Sequence, residues 1–499
     1  MSARARFKQL LAEAPSDAPA IEFEGEWTTW GTLRSVATSL DAALTAAGLG
    51  EHSRVGLILE NRPEHVAALM CLLATDRTVV TLSPLQPPAR LSADMTRSDL
   101  PAVVGTVAML DQPGVREAAA SALVVELGAE TATAAGSASV RAKRPEDVSP
   151  GVVIEMLTSG TTGPPKRVLI REEQFDKALS TSVTPPPTDR LFRSGVTIVM
   201  TPMVHIGGFW GAMAPLYAGR CVALFAKFAL EPWVEAVAKH RPRAAGLVPA
   251  ALRAVLNADV PAEKISSLEA VTSGTTFCPT ELIDAFLEKY GIRVLSTYGA
   301  TEFAGAVAVW TKPLHEQWWE TKAGAAGRPM PGVTLRVTGP EGEELPVGEM
   351  GILEVKSVQS PAGPDAWQRT SDLAVLDEDG FLWLKGRADD AIIRGGFKVQ
   401  PETVKAALER HEAVLEAAIA PLPDERLGFV PVAAVELRPE ASATTGAELR
   451  DFCRDVLLPY EVPAHVIVVD ALPRTPSSKV SRVELLEQIR AALSHPVPA

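Results

Sequence analysis

Leu157-Thr158-Ser159-Gly160-Thr161-Thr162-Gly163-Pro164-Pro165-Lys166 follows the apolar run Val152-Val153-Ile154, which Met156 and Leu157 continue, so the stretch leaves the end of a strand. In ten residues it sets four hydroxyls, two glycines and one lysine. Glycine permits positive φ and close approach of the backbone to a ligand. Consecutive N–H groups and hydroxyls can then surround an anion, and a lysine adds a point charge suited to phosphate. The spacing is not Gly-x-x-x-x-Gly-Lys-[Ser/Thr], so this is no Walker loop. By composition alone a solvated Ser/Thr/Gly linker is an equal reading, and the rest of the chain must choose between them.

Length and composition bound that choice. At 499 residues the chain exceeds one ordinary core, and two or more domains are expected. Its 46% hydrophobic and 22% charged content describes a globular protein. A net charge of -13 argues against nonspecific nucleic-acid binding, which needs a basic surface. Cys71, Cys221, Cys278 and Cys453 lie far apart with no CxxC pair, which predicts reduced thiols in the cytoplasm and no zinc site. No apolar h-region follows Met1–Lys8, and no apolar run approaches the ~20 residues of a membrane span.

Strand and helix signals alternate upstream. Ile21–Phe23 and Trp27–Trp30 read as strands, the second leading into a helix over Leu33–Leu49 that stops at Gly48 and Gly50. Val55–Leu59 reads as a buried strand, followed by Glu60-Asn61 and a helix over Pro63–Ala74. Continuous apolar strands between helices imply a mostly parallel sheet. Residues 124–150, rich in Ala, Gly and charge, read as a variable surface connection. Downstream, Val196–Met200 is a further strand, followed by Thr201-Pro202-Met203-Val204-His205-Ile206-Gly207-Gly208 and then Phe209-Trp210. Thr272-Ser273-Gly274-Thr275-Thr276 repeats the wording of the opening stretch, but Phe277-Cys278-Pro279 follow in place of a lysine, so it is no second triphosphate loop.

Next come Tyr298-Gly299-Ala300-Thr301-Glu302, then Arg369-Thr370-Ser371-Asp372, then Lys385-Gly386-Arg387-Ala388-Asp389-Asp390. Gly395-Gly396-Phe397-Lys398-Val399 and Pro473-Arg474-Thr475-Pro476-Ser477-Ser478-Lys479 close the series. A strand ends ahead of Arg387 and a new pattern starts at Ala391, so the boundary is expected there, with domains of 1–387 and 390–499.

In this order, over nearly the whole chain, these motifs resemble the adenylate-forming superfamily, and the Gly395-Gly396-Phe397 form is similar to its acyl- and aryl-CoA ligases. The opening stretch matches the superfamily's Thr-Ser-Gly-Thr-Thr-Gly-x-Pro-Lys-Gly except at the last glycine, which is Arg167. The resemblance implies an α/β fold, with a large N-terminal domain of doubly wound sheets, a small C-terminal α+β domain and a hinge at Asp389. It implies an ATP-dependent enzyme that activates a carboxylic acid as its adenylate and passes the acyl group to CoA. Thr158–Gly163 and Lys166 would hold the triphosphate, with Gly274 and Thr275 along the adenine and acyl group. Tyr298 can stack on a purine, Gly299 lets the backbone approach, and Thr301 can bond a phosphate oxygen. Glu302 offers an oxygen to Mg²⁺, and Asp372 with Arg387 would meet the ribose.

His205, Phe209, Trp210, Gly274, Thr275, Gly305 and Val307 would border the acid, Gly395, Gly396 and Phe397 the passage for the thiol, and Lys479 would act at adenylation. Besides Arg167, the departures from the pattern include Thr275-Thr276 in place of Ala-Pro, Ser478 before the lysine, and a loop shortened to residues 356–368. The acceptor therefore stays open between CoA and a carrier protein, amine or other nitrogen nucleophile. A nucleotide-binding chain without catalysis is disfavoured by the intact Lys166, Glu302, Asp372 and Lys479. Whether the acid is aliphatic or aromatic is not legible, nor is the oligomeric state.

Overall fold

The structure is a computed structural model that describes residues 2–135, 144–158, 166–183, 190–274, 277–394, 397–424, 426–441, 443–475 and 479–494; Thr158, Asp389 and Lys398 are described in their backbone alone. Of the expected site residues, Ser159, Gly160, Thr161, Thr162, Gly163, Thr275, Gly395 and Gly396 lie outside the described residues. By internal contacts the chain parts into two compact units, Met1–Thr334 with Lys356–Gln368, and Leu335–Val355 with Arg369–Ala499.

Among the described residues, the first unit carries three sheets of mostly parallel strands with antiparallel edges. In the largest, the parallel strands Leu123–Leu127, Ala102–Thr106, Arg54–Ile58, Thr78–Leu82 and Val152–Thr158 lie side by side. Ala132–Ala134 closes one edge and Lys166–Arg171 the other, both antiparallel. A second sheet runs Ala244–Gly246, Ala270–Ser273, Arg293–Ala300, Gly305–Val309 and Arg328–Pro329. The third runs Val196–Val199, Cys221–Leu224, Pro19–Phe23 and Glu26–Thr29. Residues 124–150, read from composition as a surface connection, in fact begin inside the large sheet. Leu123, Val125 and Leu127 are buried on alternate positions, a short period-2 signal that the Ala- and Gly-rich residues after it obscure.

The helix Pro63–Ala74 is buried along its whole length, as expected of a helix apolar on every side. Pro63 opens it at a position where a missing N–H costs nothing. His65 lies on it with no exposed surface, and burial pushes its imidazole down to about 4. The unfolded chain titrates the same ring near 6.5, so between these values unfolding takes up a proton that the folded state refuses. Stability is complete above about pH 6.5 and falls as the pH drops toward 4, by roughly 3 kcal/mol at the limit. Expected is a urea midpoint for the first unit that drops between pH 7 and pH 5 and drops less in His65→Asn. Equal slopes in the two proteins would remove His65 as the cause.

The second unit holds one four-stranded sheet, Val333–Thr338, Gly351–Ser357, Gln368–Leu376 and Leu382–Arg387 in that order. Its other sheet joins Phe397–Val399, Ile392–Arg394, Gly428–Leu437, Val414–Asp424 and His465–Val469. The helices Pro401–Glu409, Gly446–Val456 and Arg482–Ser494 complete an α+β unit. Residues 335–355 and 369–387, expected with the N-terminal domain, group here. They form one sheet, and its strand Leu382–Arg387 packs against the helix Pro401–Glu409.

Candidate functional site

The two legs of the opening stretch are paired strands. Val152–Thr158 runs antiparallel to Lys166–Arg171, with Leu157 opposite Arg167 and Thr158 opposite Lys166. Lys166 is exposed at the start of its strand. The strand it opens packs against the turn Thr301–Phe303, so two motifs about 140 residues apart meet within the first unit.

That turn is built by close backbone approach. The strand Arg293–Ala300 reverses through Thr301–Phe303 into Gly305–Val309, with Gly299 opposite Ala306 and Ala300 opposite Gly305. A Cβ on Gly299 would lie 2.1 Å from the Gly305 carbonyl oxygen and 2.6 Å from Ala306 Cα. Both obstacles are backbone, so only glycine fits. Gly305 takes φ +138°, outside the range of other residues. The result holds Tyr298 half-buried, Thr301 half-buried and Glu302 exposed at the end of a strand. Gly274, one residue past the neighbouring parallel strand Ala270–Ser273, leaves room for Thr297, whose Oγ1 would be 2.5 Å from a Cβ there. Strand ends of a mostly parallel sheet are where ligands of such folds bind.

A second set of ties fixes the wall beside this turn. The Trp210 indole N–H donates to the Ala304 carbonyl at 2.7 Å. Trp210 packs against Phe175 and Phe209, with ring centroids 4.9 and 5.1 Å away. A Cβ on Gly305 would come 3.3 Å from Trp210 Nε1, so the indole borders that glycine. Phe209 and Val307 have no exposed surface. His205 stands at the N-cap of the helix Ile206–Tyr217. The bend before it is held by Asn61, whose Nδ2 donates to Thr201 O and Phe225 O at 3.0 Å and whose Oδ1 accepts from Met203 N at 2.7 Å.

Sequence reasoning missed Gln359. It lies in the shortened 356–368 loop, 1% exposed, and its Nε2 donates to Phe303 O at 3.1 Å and Ala306 O at 3.5 Å. Gln174 Nε2 in turn donates to the Gln359 carbonyl at 2.9 Å. The shortened loop thus sends one amide under the Glu302 turn. No periodicity or motif marks a single glutamine in a loop, so nothing in the sequence singled it out.

In the second unit Asp372 and Arg387 are register partners on adjacent strands, with Arg387 Nη1 3.8 Å from Asp372 Oδ1. Asp390, next to Asp389, takes Arg482 at 2.5 Å and lies 3.8 Å from Arg387. Lys479 is exposed. Thr475 N donates to the Lys479 carbonyl at 2.7 Å, and Lys479 N donates to Thr475 Oγ1 at 3.3 Å. These bonds and the bridge Arg474–Val480 close the backbone around it. Phe397, 57% exposed, stacks on Tyr460 at 4.7 Å.

All four cysteines are free, and burial pushes Cys71 and Cys278 up to about 12, leaving them as inert thiols. Among the described residues no group of three or more His, Cys, Asp or Glu side chains could hold a metal. Glu302 offers one carboxylate. That donor suits Mg²⁺ arriving on a triphosphate, since this ion keeps several waters and takes only one or two protein carboxylates. No helix among the described residues is long and apolar enough to cross a membrane.

Comparison with known proteins gives three kinds of acceptor. The AMP-binding enzyme family matches residues 7–361, and the AMP-binding enzyme C-terminal domain matches residues 403–479. The sulfoacetate–CoA ligase of Cupriavidus necator is 31% identical over 93% of this chain and 92% of its own. The fatty acid–[acyl-carrier-protein] ligase ScoC of Streptomyces coeruleorubidus is 30% identical over 96% and 94%. Among solved structures, the amide bond synthetase McbA from Marinactinospora thermotolerans has a TM-score of 0.79 at 25% identity, covering 98% of this chain and 99% of that one.

Proposed function

This chain belongs to the AMP-binding enzyme family, and from that premise we propose that it activates a small-molecule carboxylic acid with ATP as an acyl-adenylate and passes the acyl group to coenzyme A. The observation that carries the reading is the packing of the Glu302 turn against the strand headed by Lys166. It supports the reading because the strand that begins at Lys166 and the turn that carries Glu302 lie beside each other.

In the first half-reaction an oxygen of the substrate carboxylate attacks the α-phosphorus of ATP, and the bond to pyrophosphate breaks. Lys166 offsets charge on the departing phosphates, Thr301 donates to a phosphate oxygen, and Tyr298 stacks on adenine. Glu302 would hold Mg²⁺, which when bound neutralises negative charge on the phosphate oxygens. Stabilising charge on the phosphoryl group is the main catalytic task in such transfers. Asp372 and Arg387 meet the ribose, and Lys479 from the second unit balances charge between carboxylate and α-phosphate. In the second half-reaction the CoA thiolate attacks the acyl carbonyl carbon, and AMP leaves with the shared oxygen. Rotation about Asp389 exchanges Lys479 for the Gly395-Gly396-Phe397 segment between the two steps.

A carrier protein or a nitrogen nucleophile is the alternative acceptor. The spread of relatives favours keeping it, since one charges an acyl carrier protein and another makes amide bonds. The deciding experiment is pyrophosphate release from ATP and Mg²⁺ over a panel of fatty, benzoic and cinnamic acids, with and without CoA. Acid-dependent release that turns over continuously only with CoA, yielding an acyl-CoA by mass, is the expected result. Acid-dependent release that CoA does not accelerate would overturn CoA as acceptor and leave adenylation standing.

A further inference from the structure

Among the described residues the strand Lys166–Arg171 is an edge of the seven-stranded sheet, where it pairs with Val152–Thr158. Its first residue is the lysine of the proposed triphosphate site. Its second, Arg167, stands where the resembled pattern has glycine. The Arg167 side chain turns back over the sheet and makes three directed bonds. Nη1 donates to the Thr81 carbonyl at 2.9 Å, Nε to Ser98 Oγ at 3.2 Å and Nη2 to Asp94 Oδ2 at 2.6 Å. Thr81 belongs to Thr78–Leu82, the strand on the far side of Val152–Thr158. Asp94 and Ser98 belong to the helix Pro88–Ser98. The guanidinium therefore spans the intervening strand and ties that edge to the interior of the sheet.

The pair is enclosed. The Asp94 side chain is 2% exposed and that of Arg167 15%, and the other Asp94 oxygen takes Arg97 at 3.2 Å. Buried ion pairs contribute little net stability, because desolvation offsets their attraction. What a rigid guanidinium fork adds is direction. Successive residues of a strand point to opposite faces, so holding Arg167 on the face of the helix Pro88–Ser98 turns Lys166 to the other.

We propose that Arg167 is a positioning residue for Lys166, anchoring the edge strand to Asp94, Ser98 and Thr81 so that the lysine meets the phosphates of ATP in a set direction. The inference rests on the proposed function above. Its test is direct binding of ATP, with Mg²⁺ and without acid, to the wild-type chain, Arg167→Gly, Arg167→Lys, Asp94→Asn and Ser98→Ala. The same proteins are compared by melting temperature and by acid-dependent ATP–pyrophosphate exchange. Arg77→Gln is the structural control. Arg77 is 2% exposed and bonds Asp41, Thr45 and the Leu49 carbonyl, all outside the site.

Expected is a loss of about tenfold in ATP affinity, and a matching rise in the ATP KM, for Arg167→Gly, as small misplacements of a positioned group produce. The acid KM should stay at the wild-type value. Arg167→Lys should fall between, and Asp94→Asn combined with Arg167→Gly should lose no more than either alone, because the two act as one unit. Arg77→Gln should melt lower without a change in ATP affinity. Wild-type ATP affinity in folded Arg167→Gly would overturn the inference alone. So would an ATP defect in Arg77→Gln that scales with its melting temperature as it does at Arg167. Where Arg167→Gly fails to fold, Arg167→Lys and Ser98→Ala carry the same comparison. A wild-type chain that binds no ATP would overturn this inference and the functional reading together.

Discussion

Lys479→Ala is expected to abolish acid-dependent ATP–pyrophosphate exchange while sparing transfer to CoA from a supplied acyl-adenylate. The ammonium is exposed on a backbone loop closed by Thr475 and by the Arg474–Val480 bridge, so removing it leaves the local fold its own bonds. The role assigned to it exists only while the carboxylate and α-phosphate carry charge that must approach. Loss of one such charge-stabilising contact costs about 10²–10³ in rate. Once the adenylate is made, the carbonyl is attacked by a thiolate and this cation has no task. Equal loss in both half-reactions would rule out a role confined to adenylation.

Glu302→Gln is expected to lower adenylation by about 10²–10³ with its effect concentrated on the dependence upon Mg²⁺. Glutamine keeps the volume and one carbonyl oxygen and removes the negative charge that a hard cation requires. The turn itself should persist. Its hold comes from backbone groups of Phe303, Ala304 and Ala306 bonded by Gln359 and Trp210, none of which involves the Glu302 side chain. The measurement is the Mg²⁺ concentration giving half-maximal exchange, which should rise in the variant. An unchanged Mg²⁺ dependence with reduced rate would move Glu302 from metal ligand to another role.

The expected elements match the structure where the signal was local. Pro63–Ala74 is a helix over the range read from its opening proline and apolar run. The strands at 55 and 196 lie within one residue of the apolar runs that placed them. Tyr298-Gly299-x-Thr301-Glu302 stands out in the sequence by its resemblance to a superfamily signature, and the structure adds that the Gly305 carbonyl leaves room only for glycine at 299. Grouping of residues 335–387 could not be read the same way. Those strands carry ordinary alternation, and which partner they pack against is settled by the sheet they join.

What the sequence determined by itself was a set of candidate groups and their order: a hydroxyl- and glycine-rich stretch ending in Lys166, an acidic residue at Glu302, and a late lysine at Lys479. Each is a local string whose residue types state what they can bind. The tertiary structure alone decided which distant residues support them. Asn61 bonds the bend before His205 across about 140 residues, Gln359 reaches the turn at Phe303 across 56, and Arg167 meets Asp94 across 73. A single polar side chain leaves no periodic trace, and its hydrogen-bonding demand is met by whatever group folding brings beside it. Such partners become visible only when strands and helices far apart in the chain are packed together.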